Sequence, residues 1–191
     1  MMKLGLKKKL AMVLVVSGLM IAACNDEAPP TVVATEPDVD DISANVTLLS
    51  VSDENPGGQH AGEGSSKLID GDINTKFLTF DFTPDFWMQQ DFEEAVTVNA
   101  YTVTSGNDAP ERDPFNWTLA GSNDGTTWET LHTVTEATFS DRNKVNIYLL
   151  NSEASYSSFR FSITENAGET TLMQISEWRL LHYNEEIDLD F

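Results

Sequence analysis

Across residues 43–183 the chain keeps no helical repeat for three turns, and that constrains its fold more than any other feature. Its apolar residues come instead in short β-favouring runs separated by turn chemistry. Residues 46–50 form the first run, followed by a long Gly-, Ser- and Asn-rich stretch to Asn74. Residues 86–92 and 96–104 alternate apolar and polar side chains, the period of a strand with one buried face. Residues 117–122 lead into Asn123-Asp124-Gly125, a strong hairpin signal, and the chain returns along residues 127–131. Residues 146–150, 158–163 and 175–181 complete the set. Many short strands with regular turns predict an all-β domain over residues 43–183, a jelly-roll β-sandwich of about eight mainly antiparallel strands. Trp117 and Trp128 flank the hairpin and are assigned to its core. Trp87, at a strand start, fits core or ligand platform equally. His132 and His182 fall in strand contexts as packing or surface residues.

Charge and cysteine usage exclude whole classes of function. There are 31 Asp and Glu against 11 Lys and Arg, a net charge of −20. Nucleic acid is excluded as a partner, because phosphate binding needs a basic face. One cysteine permits neither a disulfide framework nor a Cys-based zinc cluster. Lys3, Lys7, Lys8 and Lys9 precede an apolar run from Leu10 to Ile21, too short for a membrane span. The run closes on Ile21-Ala22-Ala23-Cys24, which resembles the lipobox of bacterial lipoproteins. The resemblance implies a signal peptide at residues 1–23 and a diacylated Cys24 as the new N-terminus. It places the protein on the bacterial cell envelope, on the periplasmic or surface face of an outer membrane. Several acyl chains anchor a protein stably, so membrane contact would be through lipid only. An ordinary signal peptide with an incidental cysteine is the alternative. The signal removes four basic residues and no acidic one, leaving seven against 31, or −24. Residues 24–42 are Pro- and acid-rich, a self-repelling tether, and residues 184–191 form an acidic tail.

Three blocks then resemble the coagulation factor V/VIII type C (discoidin) family, whose bacterial members include the family 32 carbohydrate-binding modules. The first runs from Lys67 through Asp70-Gly71-Asp72 and Asn74-Thr75 to Phe77. The second comprises Arg112-Asp113-Pro114, then Trp117 to Gly125, then Trp128 and Leu131. The third is Phe159-Arg160-Phe161 followed by Gln174-Ile175-Ser176-Glu177. The blocks stand in the family's order, and the implied fold is the galactose-binding-like jelly roll.

Asp70, Asp72 and the Thr75 hydroxyl sit close together in a Gly-containing turn. Such hard oxygen donors suit Ca²⁺ rather than zinc; a solvated turn is the plainer reading of the same residues. The resemblance implies a structural Ca²⁺ held by the Lys67 carbonyl, Asp70, Asp72, Thr75, the Ser176 carbonyl and Glu177. It also implies a glycan site on loops at one end of the sandwich. The candidates are His60, Phe80, Phe82, Trp87, Asn107, Asp108 and Arg112, with the aromatic side chains stacking on a sugar and the others meeting hydroxyls. Arg112 fits a structural ion pair with the adjacent Asp113 equally well. Galactose-binding relatives carry a His soon after the first aromatic residue and an Arg later; this chain has Leu78-Thr79 and Ser105 there, so standard galactose recognition is not implied. No catalytic motif is present. The expected function is a non-catalytic, membrane-anchored glycan-binding module. A structural or adhesion lipoprotein that binds another envelope or surface protein is the alternative.

Overall fold

The computed structural model of the protein describes residues 38–168 and 170–184. The signal peptide, Cys24, most of the tether and residues 185–191 of the tail lie outside the described residues. Nine strands are formed among the described residues: β1 (Val39–Asp41), β2 (Leu48–Val51), β3 (Phe77–Thr79), β4 (Phe86–Thr104), β5 (Pro114–Ser122), β6 (Glu129–Val134), β7 (Val145–Asn166), β8 (Met173–Ile175) and β9 (Glu177–Tyr183). Every pairing is antiparallel. The order is β1-β9-β4-β7-β5-β6, with β2 added to β4 and β3-β8 as a separate pair. The all-β expectation is borne out.

Two strands are longer than the sequence runs suggest. Residues 86–92 and 96–104 belong to one strand, β4, and residues 146–150 and 158–163 to another, β7. Their mutual register shifts between Asp91 and Val96 and again between Val98 and Ala100. Such bulges let a strand bend without losing its ladder. The first half of β4 pairs with β2 and the second half of β7, while its second half pairs with β9 and the first half of β7. Each long strand therefore serves both layers of the sandwich. Phe86 stacks on Phe77 of β3 at 6.1 Å, and the Thr104 carbonyl accepts a hydrogen bond from Ser176 N, next to β8, at 2.9 Å. Both termini of β4 thus meet at one end, the loop end. The bends lie at the other, where the Ser157 N–H donates to Asn123 Oδ1 at the β5–β6 hairpin.

The core fills the space between layers because alternate residues point inward. Along β4, Phe86, Met88 and Gln90 are buried while Trp87, Gln89 and Asp91 are less so. Phe161 of β7 packs on Trp117 of β5 at 5.3 Å and on Trp178 of β9 at 5.5 Å. Trp117 Nε1 donates to Tyr101 Oη at 3.0 Å, and that hydroxyl meets His132 Nδ1 at 2.9 Å. Trp117 is core, as expected. Trp128 is not: it is half-buried and lies against the Arg160 guanidinium at 4.0 Å, with Trp87 facing the same guanidinium at 4.5 Å. A cation held between two rings on the outer sheet face lets both indoles remain partly exposed. At the N-terminal edge, β1 pairs with β9 and Arg179 bonds the Asp41 carboxylate, so ordered structure begins upstream of residue 43.

Candidate functional site

The Asp70–Thr75 turn reverses the chain after a 3₁₀ turn at Ser65–Ile69, with Gly71 at φ 78° supplying the left-handed conformation. That conformation aims the Gly71 N–H at Glu177 Oε1, 2.7 Å away at the start of β9. Asp70 Oδ1 accepts from Asp72 N at 3.0 Å and from Thr75 Oγ1 at 3.1 Å, while Lys67 Nζ lies 3.1 Å from Asp70 Oδ2. Asp70, Thr75 and Glu177, expected as metal ligands, are therefore brought together. Asp72 Oδ1 instead accepts from the Asn74 backbone at 3.0 Å and from its amide at 2.8 Å. Lys67 meets Asp70 through its ammonium, and Ser176, between β8 and β9, is fully buried.

The electrostatics of this pair are unbalanced. Burial pushes the Glu177 carboxyl up to about 8, against the opposing charge of Arg179, and Asp70 adds to the rise. Burial also works against ionised Asp70, but hydrogen bonds from Asp72 N, Lys67, Glu177 and Thr75 outweigh it and hold that carboxyl below its ordinary value. One proton is thus shared unequally between two facing carboxyls. A bound cation would take over the proton's task. The donors are all hard oxygens, so the site fits Ca²⁺. Among the described residues no group of three or more His, Cys, Asp or Glu gathers anywhere, so hydroxyl and carbonyl oxygens would have to complete the shell.

The same turn borders a second cluster. Asn107 Nδ2 donates to the Asn74 carbonyl at 3.2 Å. Lys76, although buried, places Nζ 2.5 Å from Asp108 Oδ1 and 3.7 Å from Glu63 Oε1. The Lys76 hydrogen bond holds Asp108 below its ordinary value, opposed by partial burial and helped by the charges of Lys76 and Arg112. The loop carrying Asn107 and Asp108 is pinned from beneath. Arg142 forks to buried Asp113, with Nη1 at 2.9 Å and Nη2 at 2.5 Å, and also donates to the Gly106 and Asp108 carbonyls. Gln174 Nε2 donates to the Asp108 and Ala109 carbonyls at 2.6 and 3.1 Å. Ala109 sits at φ 36°, unusual for a residue other than glycine. The ion partner of Asp113 is Arg142 rather than the neighbouring Arg112, which is half-buried close to Asp108.

The remaining candidates are dispersed. Phe80 is exposed beyond β3; Phe82 packs on Phe86 at 6.1 Å and lines a hollow of about 320 Å³ with Asn166 and Thr170. His60 is exposed in the loop before the 3₁₀ turn, and Trp87 lies on the outer sheet face with Arg160. The candidates Asn107, Asp108 and Arg112 lie on or beside the pinned loop, and Asn74, Lys76, Arg142 and Gln174, which hold the loop cluster together, were not among the sequence's site candidates.

Solved structures with similar folds include carbohydrate-binding modules. The family 32 carbohydrate-binding module of Clostridium perfringens NanJ, in complex with galactose, superposes with a TM-score of 0.61 at 15% identity, covering 76% of this chain and all of that one. Chitosan-binding module 1 of a Paenibacillus chitosanase/glucanase superposes at 0.56 with 18% identity, covering 74% of this chain and 98% of that one. A curated relative, the Arabidopsis thaliana peptide-N(4)-(N-acetyl-beta-glucosaminyl)asparagine amidase, is 39% identical over 80 residues, 40% of this chain but only 11% of the amidase's length. The F5/8 type C domain matches residues 49–178, and the chain belongs to that family.

Proposed function

We propose that this protein is a non-catalytic, membrane-anchored module that recognises a carbohydrate through the loop end of a calcium-stabilised β-sandwich. The observation that carries the reading is the pinned cluster of Asn74, Lys76, Asn107 and Asp108 beside the Asp70–Glu177 pair. Amides and charged groups held by a second set of bonds are ready to meet sugar hydroxyls with little loss of freedom. Family neighbours in complex with galactose, or described as chitosan-binding, support the class of ligand.

Ca²⁺ would be held by the Asp70 and Glu177 carboxylates, the Thr75 hydroxyl, Asp72, and the Lys67 and Ser176 carbonyls. It would supply the positive charge that Lys67 and a shared proton otherwise provide, and it would tie the turn to β9. Anchoring would run through lipid on Cys24 at the bacterial envelope, with the acidic, Pro-rich stretch that follows as tether.

A glycan array probed with the full chain in the presence of Ca²⁺ tests the reading. Binding to a defined glycan, weakened about tenfold or more by Asn107→Ala or Arg112→Ala, is the expected result. Silence on the array, with an envelope protein co-purifying, would overturn it in favour of adhesion.

A further inference from the structure

We propose a second binding site, at the bend end, for a glycan that carries free amino groups. A cleft of about 430 Å³ opens between the β5–β6 hairpin and the bulged part of β7, lined by Asn123, Glu129, Glu153 and Tyr156 among others. A neighbouring hollow of about 280 Å³ shares Asn123, Glu129 and Tyr156 and adds Asp124 and Trp128. The two hollows share three lining residues, and their volumes are in the size range of small-ligand sites.

The groove's aromatic walls are fixed. The Tyr156 ring lies over Gly121, where any Cβ would overlap it, and stands edge-on to Phe159 at 6.1 Å. Its hydroxyl donates to Glu129 Oε2 at 2.6 Å, which holds the carboxylate at the edge of that ring. Trp128 is pinned by Arg160, whose Nε and Nη2 both donate to Gln89 Oε1, at 3.0 and 2.7 Å. Asp124 Oδ1 accepts from the Thr126 and Thr127 N–H groups, holding the hairpin turn in place.

The charge around the groove selects the ligand. The charged side chains that line it are Asp124, Glu129 and Glu153, with no Lys or Arg among them. An anionic sugar would be repelled. A protonated amine gains charge-assisted hydrogen bonds, roughly twice as strong as neutral ones, and cation–π contact with a ring face. Fixed aromatic rings beside carboxylates therefore suit a glucosamine-type oligosaccharide better than its N-acetylated form. This groove is at the opposite end from the loops, so it stands independently of the loop-end reading.

The test is calorimetric titration of the full chain at pH 6 with the β-1,4-linked tetramer of glucosamine and with the fully N-acetylated tetramer. The amine tetramer is expected to bind, with the acetylated one at least about tenfold weaker. Glu129→Gln should weaken the amine tetramer about tenfold, as should Glu153→Gln. Glu136→Gln removes the same charge from an exposed site at the loop end and should leave binding unchanged. No binding, equal affinity for both tetramers, or an equal loss in the Glu136→Gln variant would each overturn the proposal. The last outcome would mark general attraction to an acidic protein.

Discussion

A carboxyl only 3% exposed, as in Glu177, must find a compensating charge or keep its proton. In the metal-free protein it does the second, holding its proton up to about pH 8 against an ordinary value of 4.5. A folded-state value above the unfolded one stabilises the fold fully below pH 4.5 and loses that contribution as pH rises toward 8. His132, whose burial lowers its proton affinity, runs the other way and favours the fold as pH rises through 6.5. Comparing wild type with Glu177→Gln isolates the first effect. In EDTA, the wild-type melting temperature should fall relative to the variant between pH 5 and 8. Adding Ca²⁺ at pH 8 should raise only the wild type, by an amount equivalent to about 2.7 kcal/mol at a hundredfold excess over Kd. Parallel pH profiles for the two proteins, or no response to Ca²⁺, would sink the assignment of Glu177 to a cation.

At the scale of strands and loops, the two loops flanking Asp113 and Arg142 behave as one element. Removing Arg142 leaves buried Asp113 with an uncompensated charge and takes one of the donors from each of the Gly106 and Asp108 carbonyls. Arg142→Ala should cost roughly 3–5 kcal/mol, a drop in melting temperature on the order of 10 °C. The double variant Arg142→Ala/Asp113→Ala should recover part of it. A single variant melting within about 2 °C of wild type would show that the fork carries little. Nothing local in the sequence announces this pair, because 29 residues separate its members. The hairpin Pro114–Ser122 to Glu129–Val134 was legible, since alternation and Asn123-Asp124-Gly125 lie within one window. β4 read as two strands because Glu93-Glu94 at its bulge resembles a turn. β3 and β8 have three residues each, too few to display a period. Asp70 and Thr75 were legible as neighbouring oxygen donors in one turn, whereas Glu177 came only through the family pattern, since it meets the turn across 106 positions. Lys76 was missed because a cation beside the core residue Phe77 looks like an edge residue until Asp108 arrives from another loop.

At the scale of the whole molecule, the bent strands β4 and β7 create two ends with different chemistry and one shared core. At the loop end, the Asp70–Thr75 turn and the loop carrying Asn107 touch directly, through the Asn107 amide and the Asn74 carbonyl. At the bend end, Glu129 is held by Tyr156, and Tyr156 rests on Gly121 and Phe159, contacts that do not involve the Asp70–Thr75 turn. Coupling between two ligands requires an element whose equilibrium both of them bias. If the loop end binds as proposed, the Asp70–Thr75 turn would be such an element there, while the groove at the bend end is walled by the hairpin and the β7 bulge. Chelation at pH 6, well below the melting temperature, should therefore weaken the glycan identified on the array by several-fold. It should leave the affinity for the glucosamine tetramer within about twofold, read by calorimetry on one preparation. The reciprocal holds for Glu129→Gln, which should lose the tetramer and keep the array ligand. An equal loss at both ends on chelation would mean that the cation secures the sandwich as a whole rather than the turn it sits in.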